Sequence, residues 1–427
     1  MTYQETLDYM YAQLPMYHRI GAAAYKADLQ PTIDMMAALG NPEYKFRSIH
    51  VAGTNGKGSV SHFLASILQE AGYKVGLYTS PHLIDFRERI RINGDMIPQQ
   101  EVTDFVERHK TLFSDLHLSF FEMTVGMAFD YFARDHIDIA VIEVGMGGRL
   151  DSTNVITPLL SVITNIGLDH TQFLGDTLAK IAAEKAGIIK EGVPVVIGET
   201  QAETAPVFLS TASARHAAIT FADQHYHIDD ISRFTTELTG DYQKKNLATV
   251  LESVEVLRRT TDIDIQPAAV RRGLANVVTN THLHGRWQTI GTAPLTICET
   301  AHNYDGINAM LPGLKGLGFQ QLHIVYGCVN DKDYRKILAY LNNTLATLGV
   351  PIVWHFSQPS VPRGLPVDDL KDAASGLGIE GDAFASVMDA LSVARNQAAA
   401  DDLVLVTGSI FLIADVLSSL QTHNTLT

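Results

Sequence analysis

Short apolar runs recur along the first half of the chain, at Phe46–Ala52, Val75–Tyr78, Ile137–Val144, Leu159–Asn165 and Pro194–Gly198. Between them, apolar positions return every three to four residues, as in Val60, Phe63, Leu64, Ile67 and Leu68. The first pattern predicts strands and the second predicts helices with one buried face. Their alternation predicts an α/β fold with a mostly parallel sheet covered by helices. A second series begins near residue 286, with strands predicted at Leu295–Thr300, Leu322–Gly327, Val350–Phe356 and Leu403–Gly408. Residues 200–285 are more mixed: Ala218–Leu238 predicts a strand or hairpin region, and a helix follows from about Tyr242 to Arg259. A helix ending near Ala275 precedes the second series, so the domain boundary is placed at Leu283–Gly285. The predicted domains are residues 1–284 and 285–427. No internal repeat or low-complexity tract interrupts the pattern.

Composition narrows the class. The chain has 427 residues, 46% hydrophobic and 19% charged, which fits a soluble globular enzyme with a large core. No run reaches the roughly 18 apolar residues of a membrane-spanning helix. The N-terminus carries acids and lacks the basic start and apolar core of a signal peptide. Two cysteines, Cys298 and Cys328, make no disulfide framework and fit a reducing cytoplasm. The net charge of −15, from 32 basic and 47 acidic residues, argues against nonspecific binding to nucleic acid or anionic membrane. An anionic substrate then needs locally concentrated positive charge.

That charge is found in residues 50–59, His-Val-Ala-Gly-Thr-Asn-Gly-Lys-Gly-Ser. A predicted strand enters a glycine-rich turn, Gly53 to Gly58, and Ser59 is predicted to open a helix. Glycines let backbone N–H groups approach one anion, and the helix N-terminus adds partial positive charge. Lys57 can reach the β/γ-phosphates of a nucleotide and the Ser59 hydroxyl can face Mg²⁺. The match to the strict phosphate-loop pattern is imperfect, because Val51 stands at the first glycine position and Gly58 separates Lys57 from Ser59.

Other polar groups cluster at predicted strand ends, where α/β sheets bind ligands. Thr79-Ser80-Pro81-His82 follows one strand. The next segment, Phe86–Ile92, contains Arg87, Arg89 and Arg91 and reads either as chemistry or as an exposed loop and edge strand. Glu143 ends an apolar strand, where an acid is costly unless paired or metal-bound. The alternatives there are a metal site and an ion pair to Arg149. His170 follows another strand, in Asn-Ile-Gly-Leu-Asp-His-Thr. Lys185 lies in the last turn of a short predicted helix, Ile181–Gly187, where spacing alone assigns it to the helix dipole.

Taken together, these segments resemble the folylpolyglutamate synthase/dihydrofolate synthase family of the Mur ligase superfamily. The resemblance rests on residues 50–59, Thr-Ser-Pro-His-Leu (79–83), Glu-Val-Gly-Met-Gly-Gly-Arg-Leu-Asp-Ser-Thr-Asn (143–154), Leu-Asp-His-Thr (168–171) and Glu-Lys-Ala-Gly-Ile (184–188). It implies an N-terminal P-loop ATPase-like domain and a smaller C-terminal Rossmann-like domain. It assigns Gly53, Thr54, Asn55, Gly56, Lys57, Gly58 and Ser59 to the nucleotide phosphates, and Asn246, Arg286, Glu299 and His302 to further nucleotide contacts. Ser80, Glu143 and His170 correspond to Mg²⁺-site residues. Lys57, His170 and Lys185 carry the catalytic roles, Lys185 as a carbamylated lysine. The pterin side falls at His18, Arg19, Ile20, Ser119, Phe120, Phe121, Glu122, Leu150 and Ser152.

The family's Asp-x-Ala-His-Asn-Pro segment appears here as Glu299-Thr300-Ala301-His302-Asn303-Tyr304, one methylene longer at the acid and without the proline. The implied reaction joins L-glutamate to dihydropteroate or to the γ-carboxylate of a folate through an acyl phosphate. Its implied cofactors are ATP, Mg²⁺ at two sites and a monovalent cation. The implied setting is a cytoplasmic monomer with small-molecule substrates, no nucleic acid and no membrane. Two alternatives are a Mur-type ligase acting on a peptidoglycan precursor and a P-loop NTPase switch. Asp331-Lys332-Asp333 reads as a family loop or a charged turn.

Overall fold

A computed structural model describes residues 1–12, 28–330 and 333–424. These divide into two compact units. The first comprises Met1–His82, Phe86–Glu237 and Gln243–Leu283. The second comprises Leu83–Asp85, Leu238–Tyr242 and His284–Thr427. Two short pieces that precede residue 284 therefore belong to the second unit, which no linear boundary can express.

The first unit is built on β1 (Arg47–Ala52), β2 (Val75–Tyr78), β3 (Ile90–Ile92), β4 (Asp95–Met96), β5 (Ile139–Glu143), β6 (Leu160–Ile163), β7 (Val195–Ile197) and β8 (Ile219–Phe221). They form one sheet in the order β4-β3-β2-β5-β1-β6-β7-β8. From β2 to β8 all pairings are parallel, and β3 and β4 extend the edge antiparallel. The chain leaves β1 towards β2, then returns to place β5 and β6 on either side of β1. β1 thus ends at a reversal of strand order, where doubly wound sheets bind ligands.

The helix Lys57–Glu70 follows β1 directly. Its predicted apolar face is buried, and so are Ser59, Ser61, His62 and Ser66. Two of these polar residues pair across helices: Ser66 donates to the Gly273 carbonyl at 2.7 Å, and His62 Nδ1 lies 2.8 Å from Thr281 Oγ1. A Cβ on Gly273 would sit 2.5 Å from the Ile67 Cα, so that glycine sets how closely the helix Pro267–Ala275 approaches.

The second unit carries β9 (Gln288–Thr292), β10 (Leu295–Cys298), β11 (Leu322–Tyr326), β12 (Ile352–Phe356), β13 (Gly381–Ala383) and β14 (Leu403–Thr407). Their order is β13-β12-β11-β14-β10-β9, parallel except for the β9–β10 hairpin. Here the chain runs one way from β9 to β13 and turns back only to insert β14 between β11 and β10; residues 299–303 follow β10. Among the described residues no helix is long and apolar enough to cross a membrane.

Each predicted strand of both series is present, with ends trimmed by a residue or two. Two expectations change. Of the strand or hairpin expected over Ala218–Leu238, the strand forms as β8 and the hairpin does not: after β8 the chain makes a single turn at Ala222–Gln224 and a short helix at Ile228–Ile231. The Asp223 carboxylate accepts the Thr200 amide and hydroxyl at 2.7 and 2.6 Å, which binds the chain to the loop after β7 and diverts it from the sheet. The arginine-rich segment is not an exposed edge. β4 lies outside β3, and Arg89 and Arg91 are buried.

Candidate active site

The loop after β1 is held open by its neighbours rather than by its own side chains. Gly53 has φ 148° and Gly56 has φ 84°. A Cβ on Gly53 would overlap Thr164 Oγ1, and one on Gly56 would overlap Asn246 Oδ1. Thr164 donates to the Asn55 carbonyl at 2.6 Å, and Asn165 Oδ1 accepts the Asn55 amide at 2.9 Å. The Thr54 amide donates to the Asn165 carbonyl at 2.9 Å, and the Thr54 hydroxyl bonds both the amide and the carbonyl of Gly167. Residues just past β6 therefore clamp the loop from one side. From the other, Gln243 Nε2 donates to Ser59 Oγ at 3.2 Å and is itself tied to Asn246 through its Oε1 at 2.7 Å.

Gly56 is the N-cap of the helix, so Lys57, Gly58 and Ser59 occupy its first turn, two residues earlier than predicted. Their amides are among those left without partners inside the helix, a ready anion site. Lys57 Nζ donates to the carbonyls of Gly53 and Thr54 at 3.1 and 3.2 Å.

Lys185 reaches the same carbonyl. Its Nζ donates to Gly53 O at 2.8 Å across 132 residues of sequence, and the side chain is 4% exposed. The dipole role expected from spacing is thus overturned: the ammonium leaves its own helix, Leu178–Ala186, and enters the phosphate loop. Burial, and then the charge of Lys57, lower its pKa to about 7.

Glu143 ends β5 one strand away and is 4% exposed. Its Oε2 accepts the Ser80 amide at 3.0 Å, so the structure joins two of the three residues matched to the metal site. The third, His170, precedes the short helix Thr171–Leu174 with φ 50°, its amide on the Asp169 carboxylate at 2.9 Å. Among the described residues no three His, Cys, Asp or Glu side chains group closely enough to hold a metal by themselves. Arg149 pairs with Glu184, its Nη2 at 2.9 Å and its Nε at 3.2 Å from Oε1.

The glycine-rich turn after Glu143 is anchored by Asp151. Its Oδ2 accepts the Met146 amide at 2.9 Å and its Oδ1 accepts the Thr153 amide at 3.0 Å. Thr153 also contacts buried His50 on β1, at 2.9 Å. Burial raises the Asp151 pKa and lowers that of His50 to about 3. Leu150 is half-buried on this turn and Ser152 is buried just after it.

Ser119 and Glu122 form a capping box at the start of the helix Phe120–Arg134, each side chain accepting the other's backbone amide. Their side chains are thereby engaged within the helix. Phe120 is buried, with Tyr11 stacked on it at 5.2 Å, whereas Phe121 is half-buried and lies against Gly145. His18, Arg19 and Ile20 lie outside the described residues.

In the second unit, Glu299 follows β10 and is 4% exposed. Its Oε2 accepts the Tyr242 hydroxyl at 2.8 Å and the Trp287 amide at 2.9 Å. Burial raises its pKa against those bonds and Arg286. Arg286 Nη1 donates to Thr300 Oγ1 at 2.8 Å, and His302 Nδ1 lies 2.8 Å from the Thr300 carbonyl, which makes Nδ1 the donor. Asn303 caps the helix Tyr304–Leu317, accepting the Gly306 amide at 2.8 Å, and Tyr304 packs edge-on against Tyr340. Asp331 and Lys332 lie outside the described residues; Asp333 caps the helix Tyr334–Ala346.

Family models for the Mur ligase middle domain and for the Mur ligase glutamate ligase domain match residues 51–257 and 285–410. The chain is 34% identical over 449 residues to the folylpolyglutamate synthase of Lacticaseibacillus casei, covering 98% of this chain and 99% of that one. It belongs to the folylpolyglutamate synthase/dihydrofolate synthase family. The dihydrofolate synthase/folylpolyglutamate synthase of Bacillus subtilis is also 34% identical, over 98% of this chain and 99% of its own. Among solved structures, Escherichia coli FolC in complex with DHPP and ADP superposes with a TM-score of 0.85 at 29% identity, over 99% of both chains. The apo form of L. casei FPGS gives 0.81 at 31% identity, covering 99% of this chain and 100% of that one.

As a member of this family the chain shows parts that sequence reading missed. Thr164, Asn165 and Gln243 shape the phosphate loop, and Asp151 holds the turn after Glu143. A signal was available for the first two: Thr-Asn directly follows an apolar strand, the position already given weight for Ser80 and Glu143. Gln243 carried none, because its partner is 184 residues away.

Proposed function

We infer that this chain is an ATP-dependent ligase that joins L-glutamate to folates. The observation that carries the reading is the convergence of Lys57 and Lys185 on the Gly53 carbonyl, beside the bonded pair Ser80 and Glu143. A carboxylate resists attack by an amine. Phosphoryl transfer from ATP makes it an acyl phosphate, the glutamate amine then attacks its carbonyl carbon, and phosphate leaves as the amide forms. Lys57 and the amides of the first helical turn oppose negative charge on the transferring phosphoryl group. Both acceptors, dihydropteroate and the γ-carboxylate of a folate, present a carboxylate to this same chemistry.

The finer assignments are part of the proposal. Residues 1–284 serve the nucleotide side and 285–427 the glutamate-ligase side, supported by the ranges of the two family models. Mg²⁺ fits the oxygen donors available, the buried Glu143 carboxylate and the Ser80 hydroxyl, with His170 the less usual nitrogen donor. When bound it would screen charge on the phosphates. A second Mg²⁺ and a monovalent cation would be further partners of the phosphate loop. Lys185, with its pKa near 7, has the neutral amine that reacts with CO₂ to give a carbamate and a proton. Arg286, His302, Asn246 and Phe121 complete the nucleotide and pterin contacts. Both cysteines are buried thiols rather than halves of a disulfide, which suits a reducing cytoplasm.

The experiment offers dihydropteroate and tetrahydrofolate separately, with ATP, Mg²⁺ and labelled glutamate. Products heavier by one glutamyl unit, with one ADP released per amide, are expected from each. ATP hydrolysis that ignores glutamate would overturn the ligase reading in favour of a nucleotide switch.

A further inference from the structure

Of the three arginines after β2, two have ordinary roles. Arg87 lies over the Tyr3 ring, and Arg91 donates to the Gly94 carbonyl at 2.9 Å. Arg89 is different. It is 3% exposed, yet no carboxylate of the described residues lies within ion-pair distance of it. Its Nε donates to His82 Nδ1 at 2.8 Å, which orients the guanidinium and leaves the two terminal nitrogens of the fork. The guanidinium carbon stands 5.2 Å above the Phe120 ring. The buried Tyr78 hydroxyl lies beside it, where the Arg89 guanidinium opposes the rise that burial gives the phenol's pKa.

Arginine stays charged in such surroundings, and a buried cation with no carboxylate bonded to it is costly, even with Glu143 and Glu88 acting on it from further away. The cost is relieved if an anion enters. The position says which anion. The Arg89 carbonyl accepts the Thr79 amide at 3.0 Å, and the next residue, Ser80, is bonded to Glu143. Arg89 therefore flanks the residues matched to the metal site, on the side lined by Tyr78, Phe120 and Tyr11.

We propose that Arg89 binds the acceptor carboxylate that is to be activated, through the terminal nitrogens of its guanidinium fork, with His82 as its positioning residue. This deepens the folate-ligase reading and rests on it. A planar fork matches a carboxylate bidentately, and both acceptors carry this group.

The test compares wild type with Arg89→Met and Arg89→Lys, using dihydropteroate and tetrahydrofolate as acceptors. It also uses dihydropteroate carboxamide as a neutral competitive inhibitor. Arg89→Met is expected to lower kcat/KM for both acceptors by about 10- to 100-fold, the range of a charge-assisted pair, with the KM for ATP unchanged. Arg89→Lys recovers part of the loss. Wild type binds dihydropteroate more tightly than its carboxamide, and Arg89→Met loses that discrimination.

Equal discrimination in wild type and Arg89→Met would overturn the proposal, as would a loss confined to tetrahydrofolate, which would place Arg89 on a different carboxylate. If Arg89→Met does not fold, the Arg89→Lys discrimination decides. Wild-type glutamate ligation is read in the same assay: its presence with unaltered variants sinks this proposal alone, and its absence sinks the functional reading itself.

Discussion

At pH 7 an amine whose pKa is about 7 is half unprotonated, which is the condition Lys185 meets beside Lys57 and the Gly53 carbonyl. A carbamate forms only from the neutral amine, so it is favoured above pH 7 and lost as the amine protonates below it. Activity is therefore expected to fall in CO₂-depleted buffer and to return on adding bicarbonate, more steeply at pH 6.5 than at pH 8. Lys185→Ala should be inactive with an unchanged melting temperature, and acetate should restore part of its activity. Full activity of Lys185→Ala would exclude the carbamate. Lys57 has a simpler role. In the proposed reaction its ammonium opposes charge that grows in phosphoryl transfer, so Lys57→Ala is expected to lower kcat by roughly 10²–10³-fold, as removing one such donor does. Turnover near wild type would take the loop out of the mechanism.

The phosphate loop works as an element because three segments hold it: the residues after β6, the helix Gln243–Thr260 and its own helix. Gly56 is where they meet most closely. Its φ of 84° strains an L-residue by about 1–2 kcal/mol, and a Cβ there would displace the buried Asn246. Gly56→Ala is expected to lower the melting temperature and raise the KM for ATP. In an Asn246→Ala background, the added loss of stability should shrink towards the backbone cost alone. An equal loss in both backgrounds, measured by thermal melts, would show that the two residues are not coupled.

On the scale of the molecule, buried histidines make stability depend on acid. His323 and His355, on adjacent strands β11 and β12, approach to 3.3 Å; His355 Nδ1 is buried without a hydrogen-bond partner, and His323 Nε2 faces the Asp402 carboxylate at 3.8 Å. Burial, and then His323, lower the His355 pKa to about 4; burial also lowers that of His323. Because the folded pKa lies below the unfolded value of about 6.5, the unfolded chain takes up more protons between the two. The stability these groups contribute is complete above about pH 6.5 and is lost as pH falls towards 4, by about 1.4 kcal/mol per pH unit for each excess proton. The raised pKa values of Asp151 and Glu299 act in the opposite direction, so the histidines are read by difference. The double variant His323→Leu, His355→Leu is expected to lose less melting temperature between pH 7 and pH 5 than wild type. Identical pH slopes would remove the pair from the acid response.

The strands, their parallel arrangement and the loop after β1 were determined by the sequence itself, because apolar periodicity and glycine placement act over a few residues. Lys57 and Ser59 were legible for the same reason: the strand, turn and helix that present them are contiguous. The tertiary structure alone decided what contacts them. Lys185 reads locally as a helix-end cation and only the packing of its helix on the Gly53 loop makes it a buried amine. Arg89 reads as part of a charged edge and is buried where its guanidinium packs over the Phe120 ring, a contact across about thirty residues of sequence. Of the strand or hairpin expected at Ala218–Leu238 only the strand β8 forms, because Asp223 finds partners at Thr200, a contact no period reports. Local sequence specifies backbone conformation and which face is apolar. The environment that sets a side chain's charge is made by residues distant in sequence, and it exists only once they have packed together.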